Sequence, residues 1–215
     1  MNAGGGNATL LLATRSAGKL RELGPMLRAA GIEPVTLGEL DIALLPEEES
    51  VEAFETFEEN ALAKARYYFE RATSLGADAP AFVLADDSGL EVRALGGAPG
   101  VRSKRYSGSS LEGQALDDAN SSKLIGALHG VSDRRASYVC VAAIKTVDGE
   151  WHARGTCDGK ILDAPRGGDG FGYDPFFYSE EMGKTFGEAT REEKERVSHR
   201  ARAVSAVLEL FRSGK

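Results

Sequence analysis

The chain has 215 residues, a formal net charge of −7 at pH 7 and a hydrophobic fraction of 42%, which are ordinary values for a soluble globular protein. Its acidic balance argues against a protein that holds long nucleic acids on a basic face. No stretch approaches the roughly 20 apolar residues of a membrane helix, and the first residues lack the features of a signal peptide. We therefore expect a cytoplasmic protein with a disordered leader over residues 1–8 and a single domain over residues 9–215.

The first segment with a clear pattern is the apolar run 9–13, which predicts a strand. A polar loop over residues 14–19 follows, and then a helical pattern that we expect to kink or stop early at Gly24 and Pro25. A strand, a loop with a lysine and then a helix can bind phosphate through backbone N–H groups. The loop lacks the Gly-x-x-x-x-Gly-Lys-Ser/Thr spacing, so an ordinary strand-to-helix connection is the alternative interpretation.

Residues 37–50 look irregular and end in the acidic run 47–49, which is typical of a solvated face. Thr56 and Glu59 then form a capping box for a helix that extends to about Ser74. Asn60 and Lys64 are four residues apart and share one face of this helix. That face could line a site, although most lysines lie on the protein surface.

Two adjacent acids, Asp86 and Asp87, follow the apolar run 81–84, and we expect the strand to break at Gly89. Adjacent carboxylates are costly to bury unless a cation lies between them or one stays protonated. Mg²⁺ suits such a pair because it prefers carboxylate and phosphate oxygens. The alternative is a solvated turn, since Asp, Ser and Gly are turn formers.

The second half of the chain alternates between strands and helices. A short strand is predicted over residues 90–92, a helix over 111–128, and a hairpin of strands 136–147 and 150–156 around Asp148 and Gly149. Cys140 and Cys157 have no metal-ligand spacing, and we expect both to be buried in strands. The three histidines are too scattered for a zinc helix. The predicted class is α/β with a mixed sheet.

The last predicted helix is capped by Thr190 and Glu193, and one apolar stripe runs along it from Val197 to Phe211. We expect the stripe to be core. His199 and Arg200 lie early in this helix and off the stripe, so core packing does not explain them.

Seven motifs come in a fixed order along the chain: Thr14-x-x-x-x-Lys19, Phe57-Glu58-Glu59-Asn60-Ala61-x-x-Lys64-Ala65, Ala85-Asp86-Asp87-Ser88-Gly89-Leu90, Leu95-Gly96-Gly97-Ala98-Pro99-Gly100, Phe171-Gly172-Tyr173-Asp174-Pro175, Gly183-Lys184-Thr185 and Ser198-His199-Arg200. From about Leu10 to Phe211 the chain thereby resembles the non-canonical purine nucleoside triphosphate pyrophosphatases. The resemblance implies an elongated mixed β-sheet flanked by helices, usually a homodimer, that requires Mg²⁺. It also implies hydrolysis of ITP, dITP and XTP to the monophosphate and pyrophosphate, which cleanses the nucleotide pool.

The resemblance also implies roles for the residues that carry the chemistry. Asp87 matches the general base and metal-binding acid, with Asp86 beside it as a further catalytic residue. Glu52, five residues before Phe57, matches a second metal ligand, although it is also one more acid in an acidic loop. Lys64 would face the phosphates, and Asn60 would orient an acid or a water.

Two further groups of residues are implied to bind the substrate. Phe171 would stack on the purine, Asp174 would accept from a ring N–H, and His199 or Arg200 would donate to the 6-keto oxygen. The residues implied to bind the phosphates are Thr14, Arg15, Ser16, Ala17, Gly18 and Lys19. The residues implied to surround the base are Ser88, Phe171, Gly172, Tyr173, Asp174, Lys184, His199 and Arg200.

The chain departs from the family pattern at three places. Ser16 stands where the family usually has Asn, which leaves the strength of triphosphate binding open. Gly24 and Pro25 are atypical, and the predicted loop 155–159 lacks a common Trp-Pro pair. We expect neither of the last two departures to touch the chemistry.

Other functions remain compatible with parts of this pattern. A related pyrophosphatase could act on other damaged or pyrimidine nucleotides, because a shared scaffold does not fix the base. A nucleotide-binding module without turnover is disfavoured, since a pure binder needs neither Asp87 nor Lys64. A phosphatase with an aspartyl-phosphate intermediate is excluded by the missing Asp-x-Asp-x-Thr/Val pattern.

Overall fold

The computed structural model describes residues 9–76 and 79–214. The leader predicted over residues 1–8 lies outside the described residues, and the single domain stays a prediction. The described residues divide into two compact units. The first unit holds the residues up to Asp87, Val141–Ala153 and those from Val204 onward, and the second holds Ser88–Cys140 and Arg154–Ala203. In the described part of the chain, no helix has both the length and the apolar character that a membrane crossing needs.

A seven-stranded sheet runs through the fold in the order β2-β1-β3-β4-β5-β6-β7. Strand β1 is parallel to β2 and β3, whereas β6 is antiparallel to β5 and β7. The prediction of an α/β fold with a mixed sheet is therefore confirmed. The strands are β1 (Leu10–Leu12), β2 (Pro34–Thr36), β3 (Phe82–Val92), β4 (Arg135–Lys145), β5 (Glu150–Ile161), β6 (Phe177–Ser179) and β7 (Lys184–Thr185). The helices are α1 (Ala17–Ala29), α2 (Glu48–Val51), α3 (Phe57–Thr73), α4 (Gly113–Ala127), α5 (Arg191–Val197) and α6 (His199–Ser213), with 3₁₀ turns at Arg93–Leu95 and Gly100–Arg105.

Helix α1 does not stop at its proline. It contains Pro25 and continues to Ala29, so the predicted early stop is wrong. A proline removes one backbone hydrogen bond from the helix. Leu23 and Leu27, which lie on either side of Pro25, are fully buried. Their packing against the core stabilises both halves of the helix despite the missing hydrogen bond.

Strand β3 is one continuous strand of eleven residues, so the predicted break at Gly89 is wrong. Leu84, Leu90 and Val92 are fully buried, and the N–H of Leu90 donates to Ser103 Oγ at 2.8 Å. A turn would be needed only to bring the two acids into solvent. Because both acids are compensated inside the protein, as described below, the strand continues past them.

The predicted hairpin joins β4 and β5, which are neighbours in the sheet. The N–H of Thr146 donates to the carbonyl of Gly149 at 2.9 Å and closes the turn. Cys140 and Cys157 are buried within these strands, as predicted. The segment 155–159, predicted as a loop, lies inside β5 instead.

The predicted last helix is in fact two helices, which meet at Ser198. The backbone of Ser198 is extended (φ −68°, ψ 148°). The Ser198 hydroxyl accepts from the N–H of Ala201 at 3.2 Å and thereby caps α6. The Thr190 and Glu193 capping box is confirmed, but it starts only the short helix α5. The break places His199 and Arg200 in the first turn of α6.

A close approach between β5 and the first turn of α6 depends on a glycine. A Cβ atom on Gly155 would overlap the carbonyl oxygen of His199 and the backbone nitrogen of Ala203, and would lie 2.9 Å from Arg202 Cβ. Two of these three neighbours are backbone atoms, which cannot rotate away. The absence of a side chain at Gly155 therefore allows the first turn of α6, which carries His199 and Arg200, to pack directly against β5. The expectation that the missing Trp-Pro pair does not touch the chemistry stays a prediction.

We predict that Gly155→Ala lowers the free energy of unfolding by roughly 2–3 kcal/mol, because over-packing of this size forces a backbone shift. A thermal melt should show a fall of roughly 4–12 °C. Gly126→Ala is the matched control, since nothing lies within 4 Å of its added methyl group in α4, and it should stabilise by about 0.5–1 kcal/mol. Equal melting temperatures for both variants would contradict the close approach.

Candidate active site

Two buried acids occupy consecutive positions of β3. The exposed fraction is 1% for Asp86 and 8% for Asp87. Lys19, in the first turn of α1, places its Nζ 2.9 Å from Asp86 Oδ2 and 3.3 Å from the Asp86 carbonyl oxygen. The predicted phosphate loop and the acid pair are thus joined by a short ion pair within the first unit.

Helix α3 supplies two more polar groups to these acids. Asn60 Nδ2 donates to Asp87 Oδ2 at 3.0 Å, and Lys64 Nζ donates to the Asp86 carbonyl oxygen at 3.3 Å and to Glu52 Oε1 at 2.7 Å. Thr56 caps this helix, as predicted. The four-residue spacing of Asn60 and Lys64 therefore does turn both side chains toward a site.

The carboxylate cluster (Glu52, Asp86 and Asp87) carries more negative charge than Lys19 and Lys64 neutralise. The pKa of Asp87 is raised to about 6, chiefly by burial and also by the charge of Glu52, while Lys19, Asn60 and Lys64 oppose the rise. Burial acts in the same direction on Glu52, but Lys64 and Lys19 hold its pKa below the ordinary value. Asp87 is therefore more easily protonated near neutral pH than Glu52, and a general base requires a pKa of this kind.

The donor chemistry of the cluster fits Mg²⁺. Its side chains offer only carboxylate oxygens, which hard cations prefer, and the charge of Glu52 raises the pKa of Asp87. Within residues 9–76 and 79–214, no group of three or more His, Cys, Asp or Glu side chains could hold a metal ion. Two carboxylates are sufficient for Mg²⁺, because substrate phosphates and water commonly complete its coordination.

The predicted phosphate loop ends at the N-terminus of α1. Thr14 Oγ1 accepts from the N–H of Ser16 at 3.2 Å, and Ser16 Oγ accepts from the N–H of Lys19 at 3.4 Å. Ser16 is thus the N-cap of α1, and Ala17 and Gly18 form its first residues. No acid lies in this first turn, so the partial positive charge of the helix end is not neutralised there.

Arg15 has a different setting from the rest of the loop. Its Nε and one Nη donate to the two carboxylate oxygens of Glu48 at 3.0 and 2.9 Å. Glu48 also accepts from Tyr68 Oη at 2.6 Å and from Arg71 at 2.8 Å. The Glu48 side chain is only 9% exposed, so the interpretation of the acidic run as a solvated face is wrong at this residue. The Arg15 side chain fixes the position of the loop by binding Glu48. Its backbone N–H belongs to the predicted phosphate loop.

A second polar cluster lies in the second unit around Asp174, which is buried. Asp174 Oδ2 accepts from Lys194 Nζ at 2.7 Å and from the N–H of Phe171 at 2.9 Å. Lys194 Nζ and Arg200 Cζ lie 5.2 and 5.7 Å from the centre of the Phe171 ring. These are cation–π distances, so two positive charges gather at the aromatic ring expected to stack on a base.

The start of α6 contributes two buried side chains to this cluster. His199 stacks on Tyr138, with ring centres 4.7 Å apart and planes within 9°. Arg200 donates to Ser88 Oγ at 2.9 Å. Tyr173 donates from its hydroxyl to the carbonyl oxygen of Ser103 at 2.8 Å, so this side chain anchors the loop from a buried position.

The lysine beside Asp174 is one that the sequence analysis does not single out. Lys184 pairs with Glu193 at 2.8 Å, whereas the lysine that pairs with Asp174 is Lys194. Sequence reasoning missed Lys194 because it lies within a run of charged residues, 191–196, that looks like a solvated helix face. No local signal distinguishes it, since its burial arises from the break at Ser198 that turns α5 onto the core.

Comparisons with known proteins agree with this arrangement. The model of the Ham1 family matches residues 10–210. A dITP/XTP pyrophosphatase of Syntrophobacter fumaroxidans is 47% identical over 207 residues, covering 96% of this chain and 82% of that protein. The dITP/XTP pyrophosphatase of Thermus thermophilus is 46% identical over 209 residues, covering 95% and 92%. A solved HAM1 protein from Coxiella burnetii has a TM-score of 0.78 at 33% identity, covering 95% of this chain and 98% of its own.

These matches confirm the resemblance that the seven motifs indicate. They span the phosphate loop, the carboxylate cluster and the Asp174 cluster, and extend almost from end to end. The chain belongs to the Ham1 family.

Proposed function

We propose that this protein hydrolyses the non-canonical purine nucleoside triphosphates ITP, dITP and XTP to the monophosphate and pyrophosphate. The observation that carries the proposal is the buried pair Asp86 and Asp87, compensated by Lys19, Lys64 and Asn60. The relatives named dITP/XTP pyrophosphatase support the same activity. The activity would remove damaged purines from the nucleotide pool.

In the proposed reaction, water attacks the α-phosphorus and pyrophosphate leaves. Asp87 accepts the proton of the attacking water, and its pKa of about 6 matches a base that works near neutral pH. Lys19, Lys64 and the N–H groups at the start of α1 stabilise the negative charge on the phosphate oxygens. Glu52 and Asp87 would hold Mg²⁺, which neutralises phosphate charge when bound.

The Asp174 cluster would select the base by hydrogen bonding. A 6-keto oxygen accepts from cationic donors such as Arg200, His199 or Lys194, whereas the 6-amino group of adenine would face them donor to donor. A buried polar group left without its partner costs roughly 1–3 kcal/mol, which supplies a useful part of the discrimination. Phe171 would stack on the purine, and Asp174 would accept from a ring N–H.

Three further features belong to the same proposal. Mg²⁺ is the proposed metal because the candidate ligands are all carboxylates. A homodimer is proposed because the family resemblance in sequence implies it, and the cytoplasmic location expected from the sequence itself belongs to the same proposal.

The first test is a panel of ITP, dITP, XTP, GTP, ATP and CTP, assayed for pyrophosphate release with Mg²⁺ and in excess chelator. We expect release from the first three nucleotides and its loss in chelator. Asp87→Asn should abolish turnover while nucleotide binding survives in part, because the amide keeps the shape of the side chain and loses its charge. Release of orthophosphate alone, or a near wild-type rate for Asp87→Asn, would contradict the proposal.

The second test concerns base selection. Arg200→Ala should lower kcat/KM for ITP and XTP far more than for ATP, narrowing their ratio by about 10- to 100-fold, since a charge-assisted hydrogen bond is worth roughly 1.5–3 kcal/mol. The ratio does not depend on the folded fraction, so a loss of stability does not disturb it. Arg202→Ala is the control, because Arg202 in the same turn binds Glu181 and the Thr156 carbonyl. An equal fall for all three nucleotides would assign Arg200 to phosphate binding or to the fold.

A further inference from the structure

The loop that carries Phe171, here called the base loop (residues 165–176), is tethered to α4 by one hydrogen bond. The N–H of Gly172 donates to Asp117 Oδ2 at 2.7 Å. Gly172 has a φ of +63°, a conformation that favours glycine. It lies directly between Phe171 and Tyr173, so the position of its peptide sets the direction in which both aromatic side chains leave the loop.

Other hydrogen bonds join the base loop to Lys194 and Gly187. Asp174 accepts from Lys194 and from Phe171 within the loop, and its carbonyl oxygen accepts from the N–H of Gly187 at 3.0 Å. The N–H of Asp169 donates to the carbonyl oxygen of Gly187 at 3.1 Å. These contacts hold Asp169 and Asp174. The peptide that joins Phe171 to Gly172 also accepts, at the Phe171 carbonyl oxygen, from the N–H of Asp174 at 3.3 Å within the loop, whereas the shorter Asp117 bond reaches it from another element.

A cavity of about 430 Å³ lies where α4 and the base loop face each other. Its α4 side is formed by Gln114, Asp118, Ser121 and Ser122, and its other side by loop residues that include Phe171 and Gly172. Dense packing therefore does not determine the spacing of α4 and the loop there. Gly172 lines this cavity and is loosely packed on that side, so its short hydrogen bond to Asp117 controls the position of the loop more than it would in a packed interior.

Helix α4, which carries Asp117, is hydrogen-bonded to the segment that precedes it in the chain. Asn120, one turn further along α4, accepts from the N–H of Ser107 at 2.7 Å and donates to the Lys104 carbonyl oxygen at 3.0 Å. Tyr173 donates to Ser103 on the same 3₁₀ turn. Consecutive loop residues, Gly172 and Tyr173, are thus bonded to α4 and to the 3₁₀ turn Gly100–Arg105, which Asn120 joins to each other.

We propose that Asp117 is a positioning residue that fixes the Gly172 peptide and thereby holds the Phe171 ring in the orientation that stacks on the purine. The inference rests on the proposed function, because it assumes that Phe171 meets a base. Asp117 touches neither the phosphates nor the reacting atoms. Its removal should therefore weaken interactions with the base and leave interactions with phosphate unchanged.

The experiment compares Asp117→Ala and Asp117→Asn with Asp118→Ala. Asp118 is the matched control, since it is the neighbouring acid of α4 and its side chain accepts from Gln114 at 2.8 Å. Calorimetry measures binding of IMP and of pyrophosphate, and steady-state kinetics gives KM and kcat for ITP. Hydrogen exchange of the Gly172 amide reports the tether directly and needs no substrate.

We expect Asp117→Ala to weaken IMP binding about tenfold, to raise KM for ITP by a similar factor, and to leave pyrophosphate binding and melting temperature close to wild type. Asp117→Asn keeps an acceptor oxygen and should recover most of the loss, and Asp118→Ala should match wild type. Exchange of the Gly172 amide should accelerate in Asp117→Ala.

Equal weakening of IMP and pyrophosphate, or unchanged IMP binding and exchange in Asp117→Ala, would overturn the inference. If Asp117→Ala does not fold, Asp117→Asn is the deciding variant. A two- to threefold loss of IMP binding with a changed chemical shift of the Gly172 amide would support the inference, and no change in either would overturn it. A wild-type protein that hydrolyses no nucleotide would overturn the proposed function. In that case faster Gly172 exchange in Asp117→Ala would still support the tether, and unchanged exchange would refute it.

Discussion

The burial of two consecutive carboxylates in β3 is the constraint on which the rest of the structure depends. Each buried charge costs several kcal/mol unless an opposite charge or well-placed hydrogen bonds compensate it. Asp86 obtains its compensation from Lys19 on α1, and Asp87 obtains a hydrogen bond from Asn60 on α3. The two longest helices of the first half of the chain must therefore present these particular residues to the same strand, which fixes how α1, α3 and β3 pack together.

The groups that stabilise this arrangement are also the groups that the proposed reaction needs. Lys19 and Lys64 neutralise carboxylates in the free protein, and a triphosphate offers them a stronger negative partner. The pKa of Asp87 remains raised to about 6 despite both lysines, because burial and the charge of Glu52 outweigh them. Asp87 is thus a buried acid whose pKa is raised although two lysines lower it, an arrangement typical of functional sites rather than of structural ion pairs.

Sequence reasoning predicted most of the fold, because motifs such as the capping box of α5 act over three or four residues. It failed where tertiary contacts override local preference. Nothing local shows that β3 continues through Asp86, because the lysines that permit this lie more than 20 residues away. The same holds for Glu48, whose partner Arg15 is 33 residues distant, and for Lys194, buried by the helix break at Ser198. The three-residue strand β2 is too short to carry a pattern.

The most direct test of the central constraint is a double-mutant cycle on Lys19 and Asp86. The free energy of unfolding would be measured in urea for the wild type, Lys19→Met, Asp86→Asn and the double variant. If the ion pair compensates a buried charge, each single change leaves its partner unmatched and the double variant recovers at least about 1.5 kcal/mol of the summed loss. Effects that add to within about 0.5 kcal/mol would show that Asp86 does not depend on Lys19, and would contradict this account.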